Sequence, residues 1–115
     1  MSQLQHIEQL LQEAGAQALY KQLVKQLQKD FMLANITTEI HKNISPEALK
    51  ELLFEEIGML INNDFDQFLN LIYRIDVSEA KLKRSPKDSM QEYIAYVVYL
   101  ILKREWQKVW FKNTL

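Results

Sequence analysis

The chain of 115 residues lacks cysteine and contains only two glycines, two prolines and two histidines. Without cysteine it has no disulfide, no thiolate nucleophile and no cysteine-bound metal. Sheet proteins of this size use glycine and proline at many turns, so their scarcity favours a few long helices with short connections. The length suits one domain. We therefore expect residues 1–115 to form a single helical domain.

The missing residue types also exclude several kinds of functional site. Phosphate-binding loops need closely spaced glycines, whereas Gly15 and Gly58 are isolated within helical patterns. A di-metal helical bundle needs Glu-x-x-His motifs, and neither His6 nor His41 has a glutamate three residues before it. We expect no cofactor, no metal and no catalytic residue; this disfavours an enzyme and leaves an enzymatic site as an alternative hypothesis.

One uninterrupted apolar run, residues 93–102, raises the question of a membrane segment. Its ten residues are about half of the roughly 20 that a bilayer span requires, and Glu92 and Lys103 enclose it. The N-terminus is polar and has no leader-like apolar stretch. The run is therefore interpreted as buried core, and the protein is expected to be cytoplasmic with no membrane span.

The first third of the chain contains two helical patterns with different phases. An apolar stripe that begins near Ser2 changes phase after Gly15. This indicates either a helix break at Gly15 or one continuous helix that contacts different parts of the fold along its length. The second pattern ends near Asn35. Residues 36–44 are rich in β-branched side chains but carry isoleucines four apart, so we predict a connector with a possible helical turn.

Serine and aspartate residues predict where the later helices begin. Ser45 before Pro46 is a helix start, and that helix ends near Asn63. Asp64 with Gln67 resembles a capping box that opens the next helix. The apolar stripe predicted for it contains Phe65, Phe68, Leu69, Ile72 and Ile75.

Two further serines precede the final helices. Ser78 is predicted to cap a short helix that ends at Arg84, and Ser89 with Glu92 to open a last helix running to about Lys112. One face of this last helix is apolar throughout, and a second face is apolar only in its first half. The first face comprises Ala95, Val98, Tyr99, Leu102, Trp106, Val109 and Trp110; the second comprises Tyr93, Val97, Leu100 and Ile101.

A helix that is apolar on both sides must be covered on both sides. We therefore predict an all-α fold, a small irregular bundle of five or six helices around a long central C-terminal helix.

The leading functional hypothesis is a protein–protein interaction or self-association module, with a homodimer or another protein as partner. Charge is unevenly distributed: residues 45–80 carry eight acidic and two basic residues, and residues 81–115 carry three acidic and eight basic ones. These segments either neutralise each other within the domain or pair between chains. The candidate interface comprises Tyr93, Tyr96, Val97, Leu100, Trp110 and Phe111.

A polar cluster supports an alternative hypothesis, a site for a small ligand or an enzymatic reaction. It contains Asp64, Asp66, Arg74, Asp76 and Glu79. The functional interpretation makes Arg74 an anion clamp, whereas the favoured structural interpretation pairs it with a neighbouring carboxylate to fix the joint between two helices.

Nucleic-acid binding is a further alternative, through the basic segment 81–87 and the basic residues of the last helix, Arg104, Lys108 and Lys112. It is disfavoured because the domain is slightly acidic, with a net charge of −1.

Overall fold

A computed structural model describes residues 2–86 and 88–114 of the chain. Over these residues the chain forms six α-helices, and the predicted all-α fold with a long C-terminal helix is confirmed. The helices are α1 Gln3–Ala16, α2 Tyr20–Leu33, α3 Pro46–Asn63, α4 Phe65–Ile75, α5 Glu79–Lys83 and α6 Met90–Thr114.

The first half of α6 is the centre of the bundle. Val97, Leu100 and Ile101 on one side and Val98 and Leu102 on the other are all buried, because α1, α2, α3 and α4 pack around this helix. The apolar run is therefore core, as its phase predicts. Among the described helices, none combines the length and the apolarity needed to cross a bilayer.

The caps predicted at Ser45, Ser78 and Ser89 form, although Glu92 makes no return hydrogen bond to Ser89 among the described residues, and Ser2 caps α1 as well. Ser2 and Gln5 exchange hydrogen bonds in a capping box at the start of α1. The hydroxyl groups of Ser45, Ser78 and Ser89 accept from backbone N–H groups in the first turns of α3, α5 and α6. Each cap satisfies a donor that a helix start otherwise leaves without a partner.

Two predictions at the start of α4 are wrong. Asp64 accepts from the backbone N–H of Gln67, but the Gln67 side chain donates to the carbonyl oxygen of Asn35, 2.8 Å away, so the capping box is only half formed. Phe65, predicted to be buried, is 49% exposed. It is the first residue of its helix and packs on the Phe68 ring, which leaves its other face in solvent.

The chain breaks between α1 and α2, although Gly15 itself is helical. The reversal occurs at Ala18, whose φ of 57° is left-handed. The N–H of Leu19 bonds to the carbonyl of Ala14 at 2.9 Å, and that of Ala18 to Gly15 at 3.0 Å. This is a Schellman motif with alanine at the position that glycine usually occupies.

The connector 36–44 contains no helix, and it packs along α2. The backbone N–H of Ile40 donates to the side-chain oxygen of Gln28, and the Tyr20 hydroxyl donates to the carbonyl of Ile44 at 2.6 Å. These bonds, together with the burial of Ile40, fix an extended segment beside a helix and leave a groove between the two.

Exchanging the residue types at positions 15 and 18 is expected to stabilise the fold. Gly15→Ala improves helix propensity, and an added Cβ has no atom within 4 Å; Ala18→Gly removes the cost of a left-handed alanine. Each substitution is expected to raise the free energy of unfolding by about 0.5–1 kcal/mol in urea denaturation followed by circular dichroism.

Gly58→Ala is the matched control, since its Cβ would lie 3.3 Å from Cδ1 of Ile94 and packing would offset the helical gain. A lower stability for Ala18→Gly would contradict the assigned backbone conformation.

Candidate functional site

Two acidic residues are buried where α2 meets α6. Asp30 is 3% exposed and Glu105 is 0% exposed. The ammonium nitrogen of Lys108, one turn along α6 from Glu105, lies 3.0 Å from Oδ2 of Asp30 and 3.0 Å from Oε1 of Glu105. One cation therefore faces two carboxyl groups, and this arrangement favours a proton on one of them.

Glu105 is the group that holds the proton. Burial and the neighbouring Asp30, opposed by Lys108, raise the pKa of Glu105 to about 9. Burial also acts to raise the pKa of Asp30, but hydrogen bonds with Glu105, Lys108 and Gln26 lower that pKa below its ordinary value. Asp30 is thus the carboxylate at neutral pH.

The hydrogen-bond pattern agrees with this assignment. Asp30 accepts from Lys108 and from the side-chain amide of Gln26, whereas neither oxygen of Glu105 accepts a hydrogen bond from any described residue. The Lys108 nitrogen is near Oε1 of Glu105, but not in hydrogen-bonding geometry. Unpartnered oxygens in the core are costly for a carboxylate and much less so for a protonated acid that donates to Asp30.

The sequence does contain a sign of this pair that the sequence interpretation missed. Asp30 lies three residues after Leu27, and Glu105 lies three residues after Leu102 and four before Val109. Both acids therefore occupy positions on the apolar stripes of their helices. One acidic residue on the core stripe of each of two helices is a pattern that indicates a shared proton or a buried ion pair.

A surface groove lies between α2 and the connector. It has a volume of about 390 Å³, is open to solvent, and exposes an almost wholly apolar lining. The residues that line it are Val24, Lys25, Gln28, Lys29, Met32, Leu33, Ile40 and Lys42. Met32, the second-to-last residue of α2, is 64% exposed and adds apolar surface to this lining.

Cations without partners surround this groove. Lys25, Lys29 and Lys42 form no ion pair with any residue in 2–86 or 88–114. At Leu33 the groove adjoins a polar hollow of about 440 Å³, which Arg74 lines. Arg74 is likewise exposed and without an ion pair to any described residue. We call these four residues and the apolar floor between them the basic groove.

The predicted polar cluster is not brought together as one site. Asp64 caps α4, and Asp76 binds Arg104 of α6 at 3.3 Å rather than Arg74. The ion pair favoured from the sequence, between Arg74 and a neighbouring carboxylate, is therefore wrong for the described residues. Asp66 and Glu79 are exposed on the surface. Arg74 lines a polar hollow and has no carboxylate partner among the described residues.

The candidate interface on α6 divides into buried and exposed residues. Val97 and Leu100 are buried against the chain's own helices, so they offer no surface for association. Tyr93 and Tyr96 are half-buried, and the Tyr96 hydroxyl donates to the carbonyl of Lys81 at 3.0 Å. At the helix end Trp110 and Phe111 are exposed, and a role for them in an interface stays a prediction. Trp110 packs at 5.8 Å on the half-buried ring of Trp106.

The basic residues considered for nucleic-acid binding are partly engaged elsewhere. Lys81, Lys83 and Arg84 are exposed on and beside α5, while Lys87 lies outside the described residues. On α6, Arg104 binds Asp76, and Lys108 binds Asp30 and lies 3.0 Å from Oε1 of Glu105. The phosphate-binding stripe that the sequence suggested thus retains only Lys112 without a carboxylate partner among the described residues.

The two histidines are far apart in the fold. The His6 ring lies 5.3 Å from the ring of Tyr99, and Nδ1 of His41 accepts from the backbone N–H of Asn43. Within the part of the chain that the structure describes, no group of three or more imidazole and carboxylate side chains is placed to hold a metal ion.

Replacing Glu105 with glutamine is expected to make the stability of the fold less dependent on pH. A carboxyl group with a folded pKa of about 9 and an ordinary value of 4.5 keeps its proton only in the folded chain between these limits. The free energy of unfolding therefore falls as the pH rises across that range. At about pH 9 we expect the free energy of unfolding of Glu105→Gln, measured by urea denaturation, to exceed that of the native chain by about 2–4 kcal/mol.

The lowered pKa of Asp30 works in the opposite sense and at lower pH. The contribution of Asp30 to the free energy of unfolding is fully present above its ordinary pKa of 3.8. It is lost as the pH falls through the lowered pKa of the folded chain. It is therefore constant over the range in which Glu105 acts. Parallel stability curves for the native chain and Glu105→Gln from about pH 5 to pH 9 would contradict the assignment of the proton.

Substituting Lys108 with methionine tests the other half of the cluster. This change leaves the buried Asp30 carboxylate without its cation, and we expect a loss of about 2–4 kcal/mol at neutral pH. Lys112→Met, on the same helix but exposed and without an ion pair to the described residues, is the matched control and is expected to change stability by less than about 0.5 kcal/mol.

No protein-family model, no curated protein and no solved structure matched the chain, so its function is inferred from its own residues and geometry.

Proposed function

We propose that this protein binds an acidic amphipathic helix of a partner protein in the basic groove. The single observation that supports this proposal is the combination of an apolar floor with three unpaired lysines at its margin and Arg74 in the adjoining hollow. An occupant that is complementary to this surface has apolar side chains on one face and carboxylates beside them. Amphipathic helices bind grooves in this way, with apolar anchors at helical spacing.

The floor of the groove suits a protein helix. Met32, with a flexible side chain, and Leu33, with a branched one, are both exposed. Ile40 forms a rigid wall because its backbone N–H donates to the side chain of Gln28. Methionine adapts to the shape of different apolar partners. A concave surface of this kind gains affinity from apolar burial, while its polar margin sets orientation.

The charges at the margin supply selectivity. The four cations have no carboxylate partner among the described residues; they are Lys25, Lys29, Lys42 and Arg74. An acidic partner can therefore pair with them without first breaking an ion pair within the protein. Such charges accelerate association and exclude cationic partners more than they add to affinity.

A nucleic acid is a poorer match for the same surface. Non-specific binding to single strands uses aromatic side chains on which bases stack. None of the eight residues that line the groove between α2 and the connector is aromatic. The lining of the adjoining hollow includes one aromatic residue, Tyr73.

The proposal is tested with a fluorescein-labelled designed helix that has leucine at i, i+3, i+4 and i+7 and glutamate beside them. We expect fluorescence anisotropy to show binding that weakens severalfold between about 50 mM and about 300 mM salt, because salt screens exposed charges. The double variant Lys25→Glu/Lys29→Glu is expected to weaken binding by about tenfold or more, and Met32→Asp by a similar factor.

Two comparisons separate this surface from general charge attraction. Lys112→Glu changes an exposed lysine outside the groove and is expected to leave the affinity within about twofold. A second helix with the same leucines and lysine in place of glutamate is expected not to bind. Equal binding of the two helices, equal losses for Lys112→Glu, or preferential binding of a fluorescein-labelled single-stranded DNA would overturn the proposal.

A further inference from the structure

The chain itself presents a helix of the kind that the basic groove fits. On the outward side of α3, Glu47, Glu51 and Glu55 are exposed at four-residue intervals, followed by Met59, which is 51% exposed. Glu51 and Glu55 form no ion pair with any residue in 2–86 or 88–114. We call Glu51, Glu55 and Met59, together with Ala48 beside them, the acidic stripe.

The spacings of the charges on the two helices match. Lys25 and Lys29 on α2, and Glu51 and Glu55 on α3, are each four residues apart. Both pairs therefore repeat at about 6 Å along their helix axes. Ala48 and Met59 add apolar surface beside the carboxylates, opposite the apolar floor between the lysines.

The acidic stripe does not fill the groove of its own chain. Its inward residues, Leu49, Leu53 and Ile57, are buried in the core, so the outward face is fixed in direction. No residue of α3 lines the groove. Because α3 is already a helix in the fold, binding incurs little of the ordering cost that a disordered segment carries.

We infer that the basic groove of one copy of this chain binds the acidic stripe of a second copy. The inference rests on the proposed function, since it names the partner helix for the same groove. If the groove of each copy binds the stripe of the other, the two copies form a closed two-fold dimer. If each copy uses its groove with one neighbour and its stripe with another, the copies form a head-to-tail chain. In both arrangements the lysines of one copy face the glutamates of the next.

The test uses two complementary charge reversals in the full chain. One variant, Lys25→Glu/Lys29→Glu, has carboxylates on both sides of the proposed contact, and the other, Glu51→Lys/Glu55→Lys, has lysines on both sides of it. We expect sedimentation velocity at about 100 μM to show association of the native chain and only monomer for each variant alone, because like charges repel across the contact. An equimolar mixture of the two variants is expected to associate again.

Restoration in the mixture would show that unfolding does not cause the loss of association in each variant alone, and circular dichroism of each variant checks that it is helical. Lys112→Glu is the control and is expected to associate like the native chain. A monomeric native chain that still binds the designed acidic helix would overturn the inference and leave the proposed function in place. A native chain that associates while the mixture stays monomeric would overturn it as well, and failure to bind the designed helix would overturn the proposed function itself.

Discussion

A helix that is apolar around its whole circumference has to be enclosed, and the first half of α6 imposes this condition on the rest of the chain. Val97, Val98 and Ile101 point in different directions and all are buried, because four other helices pack around them. The second half of the helix meets α2 through a charged contact, in which Lys108 lies between Asp30 and Glu105. Core burial holds the centre, and the buried polar cluster fixes how α2 is placed against it.

The position of α2 in turn determines the shape of the basic groove, the surface that we propose for a partner. One side of the helix faces α6 with Leu27 and Asp30, and the other carries Lys25, Lys29 and Met32 into the groove. The connector completes that groove because its backbone and buried isoleucines are attached to α2. The unpaired Lys25 and Lys29 of the groove lie on α2, outside the two segments of uneven charge, while the acidic side chains of residues 45–80 include an outward face of α3.

Much of the fold followed from local rules, and the candidate site did not. Serine caps and apolar periodicity located the helices, because both depend on residues within one turn of each other. The break after α1 was ambiguous, since the left-handed position is held by Ala18 rather than by glycine. Contacts between distant residues, such as Asp30 with Glu105 and Arg104 with Asp76, depend on how the helices pack. The sequence indicates such a contact at most by an acidic residue within an apolar stripe. The basic groove combines α2 with an irregular connector, so no periodic pattern describes it.

The proton on Glu105 also changes how copies of this molecule meet at a distance. The formal net charge of −1 counts every glutamate as ionised, whereas a Glu105 with a pKa of about 9 is neutral at physiological pH and leaves the folded chain with a net charge of zero. The part of the repulsion between copies that scales with net charge is then minimal, and the local charged patches dominate the remaining electrostatic interaction. A core protonation thus reduces long-range repulsion while the lysines of α2 and the glutamates of α3 stay charged at the surface.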